Sequence, residues 1–123
     1  MARQKQETAI QNAIRAELSQ VGIVRRNNVG TFFTVYGSPI KIGLPGEADL
    51  TLFTHSGRTI FIEVKTQTGR QSQDQKHFEA VVTAYGFEYI IMRSREDAKT
   101  LADRLRGESD GEIKEAEQAS PKA

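Results

Sequence analysis

The sequence predicts a mixed α/β domain in which helices flank one small central mixed β-sheet. Three observations carry that reading. Apolar residues near the N-terminus recur at helical spacing. The middle of the chain alternates apolar and polar residues between glycine-containing turns, and the last third runs helix, strand, helix. Helices before, between and after a set of strands suit a single covered sheet. A chain of 123 residues suits one compact domain.

Taken in order, Gln4 to Gln20 places Ile10, Ala13, Ile14 and Leu18, with Val21 just beyond, on one helix face, and Gly22 ends the helix. Ile23–Arg26 and Thr31–Tyr36 read as short strands, with Asn27, Asn28 and Gly30 as turn residues between them. A glycine-rich connection follows through Gly37, Gly43, Pro45 and Gly46. Asp49–Phe53 and Arg58–Lys65 are strands joined by Thr54-His55-Ser56-Gly57. Ile60, Ile62 and Val64 share one face of the second strand, while Phe61, Glu63 and Lys65 share the other. Ser72 to Tyr85 opens with a capping-box pattern, places Phe78, Val81, Val82 and Tyr85 on one face, and stops at Gly86. Phe87–Met92 reads as a buried strand. Ser94 begins a last helix with Ala98, Leu101, Ala102 and Leu105 inward, ending at Gly107.

Composition removes several chemistries. The chain has no cysteine, which excludes disulfide frameworks, thiolate zinc sites and cysteine nucleophiles. Two histidines leave little room for a histidine-rich metal site or a serine–histidine triad. No apolar run reaches the roughly 20 residues that span a bilayer, and no signal peptide is visible, so a cytoplasmic protein with no membrane partner is expected. The formal net charge of +1 conceals an uneven distribution. Residues 108–123 carry five acids and two bases, a net of −3, against 15 bases and 11 acids, a net of +4, over 1–107. The tail has one branched aliphatic residue, Ile113, and reads as an acidic, disordered extension of a moderately basic domain.

The central hairpin carries the chemistry. If it turns around Ser56, Asp49 and Glu63 are cross-strand neighbours with Cβ atoms roughly 4.5–5.5 Å apart. Two carboxylates so placed repel, and a divalent cation relieves the repulsion because Mg²⁺ and Mn²⁺ prefer hard oxygen ligands. The Val64 backbone carbonyl is a third oxygen donor. Lys65 returns to the face of Glu63, where its ammonium can reach a scissile phosphate or an attacking water. The competing reading is a solvated strand face whose Glu63–Lys65 pair contributes under about 1 kcal/mol.

Gly46-Glu47-Ala48-Asp49, Glu63-Val64-Lys65 and Gln75 together resemble the PD-(D/E)XK nuclease superfamily, and more narrowly its VRR-NUC (virus-type replication-repair nuclease) module. Glu7-Thr8-Ala9-Ile10-Gln11 at the helix start, Lys65-Thr66, Gly69-Arg70, Ser72–Gln75 and the segment near Tyr89 match that module in order, over roughly residues 5–105. The family often has proline before the aspartate, where this chain has Ala48. That departure alters backbone stiffness and leaves the ligand in place.

The resemblance implies a restriction-endonuclease-like core over 1–107 and Mg²⁺- or Mn²⁺-dependent hydrolysis of DNA. Asp49, Glu63 and the Val64 carbonyl would bind metal, Lys65 would position water or stabilise developing charge, and Gln75 would support the site. Glu7 would be an outer or second-metal ligand. Gln75 also sits at the third position of the Ser72 capping box, where it could serve the helix alone. Small stand-alone modules of this type are similar to homodimeric phage or bacterial resolvases of four-way (Holliday) junctions, which implies branched DNA as substrate in a bacterial cell or phage-infected host. Flap or general nucleases, and a non-catalytic DNA-binding domain, are the rivals. Arg25, Arg26, Asn28, Lys41, Arg70 and Lys76 are the candidate DNA contacts, Arg25–Asn28 as a loop meeting the phosphate backbone. His55 and His77 read as solvated.

Overall fold

A computed structural model describes the backbone of residues 2–119 and the side chains of 4–108. Helix α1 (Ala2–Leu18) is followed by β1 (Gly22–Arg26), β2 (Gly30–Phe33), β3 (Pro39–Ile42), β4 (Leu50–Thr54) and β5 (Thr59–Val64). Helix α2 (Gln73–Ala84), β6 (Glu88–Met92) and α3 (Arg95–Ala119) complete the chain. The main sheet has strand order β1-β4-β5-β6. Its first three strands are antiparallel and β6 joins β5 in parallel, which makes it a mixed sheet. A parallel neighbour cannot be reached by a tight turn, and α2 supplies the crossover.

The sheet separates two apolar layers. On one face Leu50, Leu52, Ile60, Ile62 and Val64 pack with Ile14 and Leu18 of α1 and with Ala98, Leu101, Ala102 and Leu105 of α3. On the other, Ala48 packs with Phe78 and Val82 of α2, joined by Phe61 and Tyr89. Both faces being covered, β5 is buried along nearly its whole length, as interior strands of such sheets are. Phe61 contacts Phe78 and Phe87 edge-on, with ring centroids 5.3 and 5.6 Å apart.

Several expected boundaries differ from those observed. The connection through Gly37 and Gly43 contains a strand, β3, which pairs with β2 as a separate two-stranded sheet. Its pattern, Pro-Ile-Lys-Ile, was hidden by the surrounding glycines and proline. Arg25 and Arg26 lie within β1, as the strand reading of Ile23–Arg26 has it, so only Asn27 and Asn28 of the expected Arg25–Asn28 loop lie outside a strand. Tyr85 is the C-cap of α2 and is 75% exposed, so it does not join the buried Phe78 and Val82. Strand β6 lies at the edge of the sheet and is only half-buried before Met92. Helix α3 continues past Gly107 to Ala119; one glycine costs a helix only about 1 kcal/mol and does not by itself stop it. The acidic extension at 108–123 lies, beyond Glu108, outside the residues whose side chains are described.

Candidate active site

The hairpin register builds the acidic pair. Leu52 faces Ile60 and Leu50 faces Ile62, so the next pair is Asp49 and Glu63, as a turn centred on Ser56 requires. Regular β4 pairing stops one residue short of Asp49, and the aspartate takes over from the ladder. Its Oδ2 accepts a hydrogen bond of 2.7 Å from the Val64 backbone N–H. On the other side, the Asn27 backbone N–H donates to the Asp49 carbonyl at 2.8 Å. Asp49 is thus held by both neighbouring strands.

Glu63 is 1% exposed, and its Oε2 is buried without a hydrogen-bond partner. Burial, reinforced by the Asp49 carboxylate beside it, pushes the Glu63 carboxyl up from 4.5 to about 9, despite the opposing charge of Lys65. The Glu7 charge on α1 adds a smaller push in the same direction. A carboxyl held up in this way keeps its proton, and the Asp49 carboxylate beside it can accept the hydrogen bond. One divalent cation would satisfy the orphaned oxygen and quench the repulsion between the carboxylates, so the oxygen donors present fit Mg²⁺ or Mn²⁺. Among the described residues no group of three histidine, cysteine or acidic side chains converges as a metal cage.

Gln75 combines the two roles open to it. Its backbone N–H donates to the Ser72 Oγ at 3.2 Å, and its Oε1 accepts from the Ser72 N–H at 2.8 Å, closing the capping box. The same Oε1 accepts from Lys65 Nζ at 2.9 Å, while Nε2 donates to Glu63 Oε1 at 3.3 Å. One amide fixes a helix terminus, the lysine and the buried glutamate. Gly46 allows this helix end to come close: at φ +74° it lies where an added Cβ would sit 2.1 Å from the Asp74 carbonyl oxygen.

Other parts of the support were not anticipated. Asn27, expected to be a turn residue, donates through Nδ2 to the Ala48 carbonyl at 2.9 Å and to Thr51 Oγ1 at 2.8 Å, clamping the segment that enters Asp49. Arg93 donates through Nη1 to the carbonyls of Thr66, Gln67 and Gly69, and so shapes the loop after Lys65. Arg58 and Arg95 are likewise committed to ion pairs, with Glu108 and Glu17. Tyr89 lies beneath the site; burial and the nearby Glu63 push its phenol up, and its hydroxyl accepts from Gln71 at 3.2 Å. Such long-range partners leave no local pattern in a sequence.

Arg25, Arg26, Asn28, Lys41, Arg70 and Lys76 are exposed, and among the described residues the five cations in this set join no ion pair. Strand alternation separates the first two. Arg25 is paired with Thr51 and shares the face of Asn27 and Asp49, whereas Arg26 is paired with Leu50 on the opposite face. A groove of about 700 Å³, lined by Gln6, Ala9, Ile10, Thr66, Gln67 and Thr68, runs between α1 and the loop that follows Lys65. His55 and His77 are exposed. No helix among the described residues is long and apolar enough to cross a membrane.

Comparison with known proteins gives one kind of match. No protein-family model and no curated protein matches the sequence. A solved structure described as a VRR_NUC domain superposes with a TM-score of 0.59, covering 80% of this chain and 95% of that one at 18% identity. The chain accordingly shares the fold of that VRR_NUC domain, a central mixed sheet flanked by helices.

Proposed function

We propose that this protein is a metal-dependent endonuclease that hydrolyses phosphodiester bonds in DNA, with Mg²⁺ or Mn²⁺ as its cofactor. The observation that carries the reading is the buried Glu63 carboxylate, orphaned at Oε2 beside Asp49, with Lys65 tethered next to it by Gln75. The fold shared with a VRR_NUC domain supports the same class of chemistry.

In this reading Asp49, Glu63 and the Val64 carbonyl hold the ion. When bound, it supplies Lewis-acid neutralisation of the charge that develops on the phosphate and acidifies water for attack. Lys65 brings a positive group to the same face and stabilises the charge building on the phosphoryl oxygens. Gln75 restricts the lysine to that position, so little reorganisation accompanies the reaction. Glu7 contributes outer negative charge from α1. The exposed Arg25, Arg26, Asn28, Lys41, Arg70 and Lys76 receive the DNA backbone.

The preferred substrate is branched DNA, cut by a homodimer in a bacterial or phage-infected cytoplasm. One protomer offers one site, and a two-fold symmetric junction presents two equivalent strands to a two-fold dimer. The test is cleavage of labelled four-way junction, flap, duplex and single-stranded DNA in Mg²⁺, Mn²⁺ or EDTA. Lys65→Ala and Asp49→Asn should each lower the rate by about 10²–10³-fold, the loss typical of removing one group aimed at developing charge. Cleavage in EDTA, or undiminished cleavage by both variants, overturns the mechanism.

A further inference from the structure

The β2–β3 hairpin is placed and composed unlike the rest of the molecule. It is a sheet of its own, outside the layers that cover the main sheet. A lone two-stranded hairpin is at best marginally stable in water, yet this one exposes its apolar residues on both sides. Phe32, facing Ile40, is 45% exposed; Phe33, facing Pro39, is 69% exposed; Tyr36 at the tip is 93% exposed. The hairpin itself carries one cation, Lys41; from residue 18 to residue 46 the chain adds Arg25 and Arg26 of β1 and no acid.

Its two ends are anchored at the acidic site. The outgoing end leaves from Asn27, which holds Ala48, Asp49 and Thr51. The returning end passes Gly43, whose Cβ would meet the Asn28 carbonyl oxygen at 2.9 Å, and then Gly46 against the start of α2. The base of the hairpin is therefore fixed beside Asp49, and its strands carry Phe33 and Tyr36 outward from there.

We infer that the β2–β3 hairpin is a stacking platform for unpaired bases, presenting Phe33 and Tyr36 to base faces while Arg25 and Lys41 take the adjoining phosphates. The inference rests on the nuclease reading and narrows its branched substrates to forms that expose unpaired bases beside the scissile strand. Aromatic rings interleaved with cations match single-stranded nucleic acid, which offers π-faces and negative charge together. A fully paired duplex hides those faces. A second copy of this chain is a poorer occupant, because apposing two such hairpins would bring like-charged, acid-free segments together.

The test is equilibrium binding in EDTA, read by anisotropy, of a labelled duplex carrying a run of unpaired thymines and of its fully paired counterpart. Phe33→Ala with Tyr36→Ala should weaken the first by about tenfold or more, within the range for loss of base–aromatic stacking, and the second by less than about twofold. Tyr36→Trp should keep the preference, which separates stacking from a collapsed hairpin. Equal losses on both DNAs, or none on either, overturn the inference. So does a wild-type dimer that the double alanine variant converts to monomer in sedimentation, since the apolar surface would then serve a second copy. Wild-type protein that cleaves DNA while the double alanine variant keeps the preference defeats the hairpin inference alone. Wild-type protein that neither binds nor cleaves any DNA defeats the nuclease reading with it.

Discussion

Glu63 sets the energetics of the site at the level of single residues. In the metal-free protein its carboxyl is held up at about 9, so the folded state keeps a proton that the unfolded chain releases near 4.5. The folded state then binds more protons than the unfolded one across that window, and stability falls as pH rises from about 4.5 to about 9. For one proton the slope approaches about 1.4 kcal/mol per pH unit. Thermal unfolding in EDTA at pH 5.5 and 8.5 should show the wild type losing stability and Glu63→Gln losing much less. Mg²⁺ should recover stability at pH 8.5 in the wild type and not in the variant. A second residue-scale comparison separates the two duties of Gln75. Ser72→Ala removes a cap and should cost about 1 kcal/mol with cleavage largely retained. Gln75→Ala should cost a similar amount in stability and, by freeing Lys65, lower cleavage by roughly tenfold or more. Equal activity in the two variants would reduce Gln75 to a cap.

Among the elements, those read correctly from sequence are the ones whose pattern is local and whose faces are covered. The Asp49–Glu63 register follows from alternation in two strands and a turn centred on Ser56. The stripes of α1 and α3 and the Ser72 cap were equally legible. What escaped depends on distant partners. Asn27 reads as a turn residue until its amide is seen bridging Ala48 and Thr51, 21 and 24 positions away. Arg93 reads as surface charge until it gathers three carbonyls from 24 to 27 positions earlier. β3 escaped because Gly37, Pro39 and Gly43 around Ile40-Lys41-Ile42 read as a turn-rich connection. Gly46 offers an element-scale prediction, since it alone lets the loop before β4 meet the start of α2. Gly46→Ala adds about 1–2 kcal/mol of left-handed strain and about 1–3 kcal/mol of overpacking. Its melting temperature should fall markedly, and a Tm within error of wild type would contradict the close approach.

Over the whole molecule, the low net charge and a DNA substrate are compatible because the charges are segregated. Arg25, Lys41, Arg70 and Lys76 are exposed and enter no ion pair among the described residues, whereas Arg58, Arg93 and Arg95 are spent on internal partners. Charge reversal tells the two sets apart. Neutralising any of the first set should flatten the salt dependence of DNA binding by about one unit of log–log slope, while leaving the fold unchanged. Arg93→Ala should instead lower the melting temperature with the slope preserved. A salt slope that ignores Arg70 and Lys76 would place the DNA elsewhere on the surface.

The proposed ligands and their supporting amide, Asp49, Glu63, Val64, Lys65 and Gln75, all come from one uninterrupted hairpin-and-helix stretch. Their mutual geometry requires closing only short loops, so this stretch can assemble as an early folding unit before the two termini dock. It also makes the chemistry portable. Lengthening the chain at the tip of the β2–β3 hairpin would alter what that hairpin presents without disturbing the spacing of Asp49, Glu63, Lys65 and Gln75. A lineage built on this arrangement can therefore change its quarry by editing its margins.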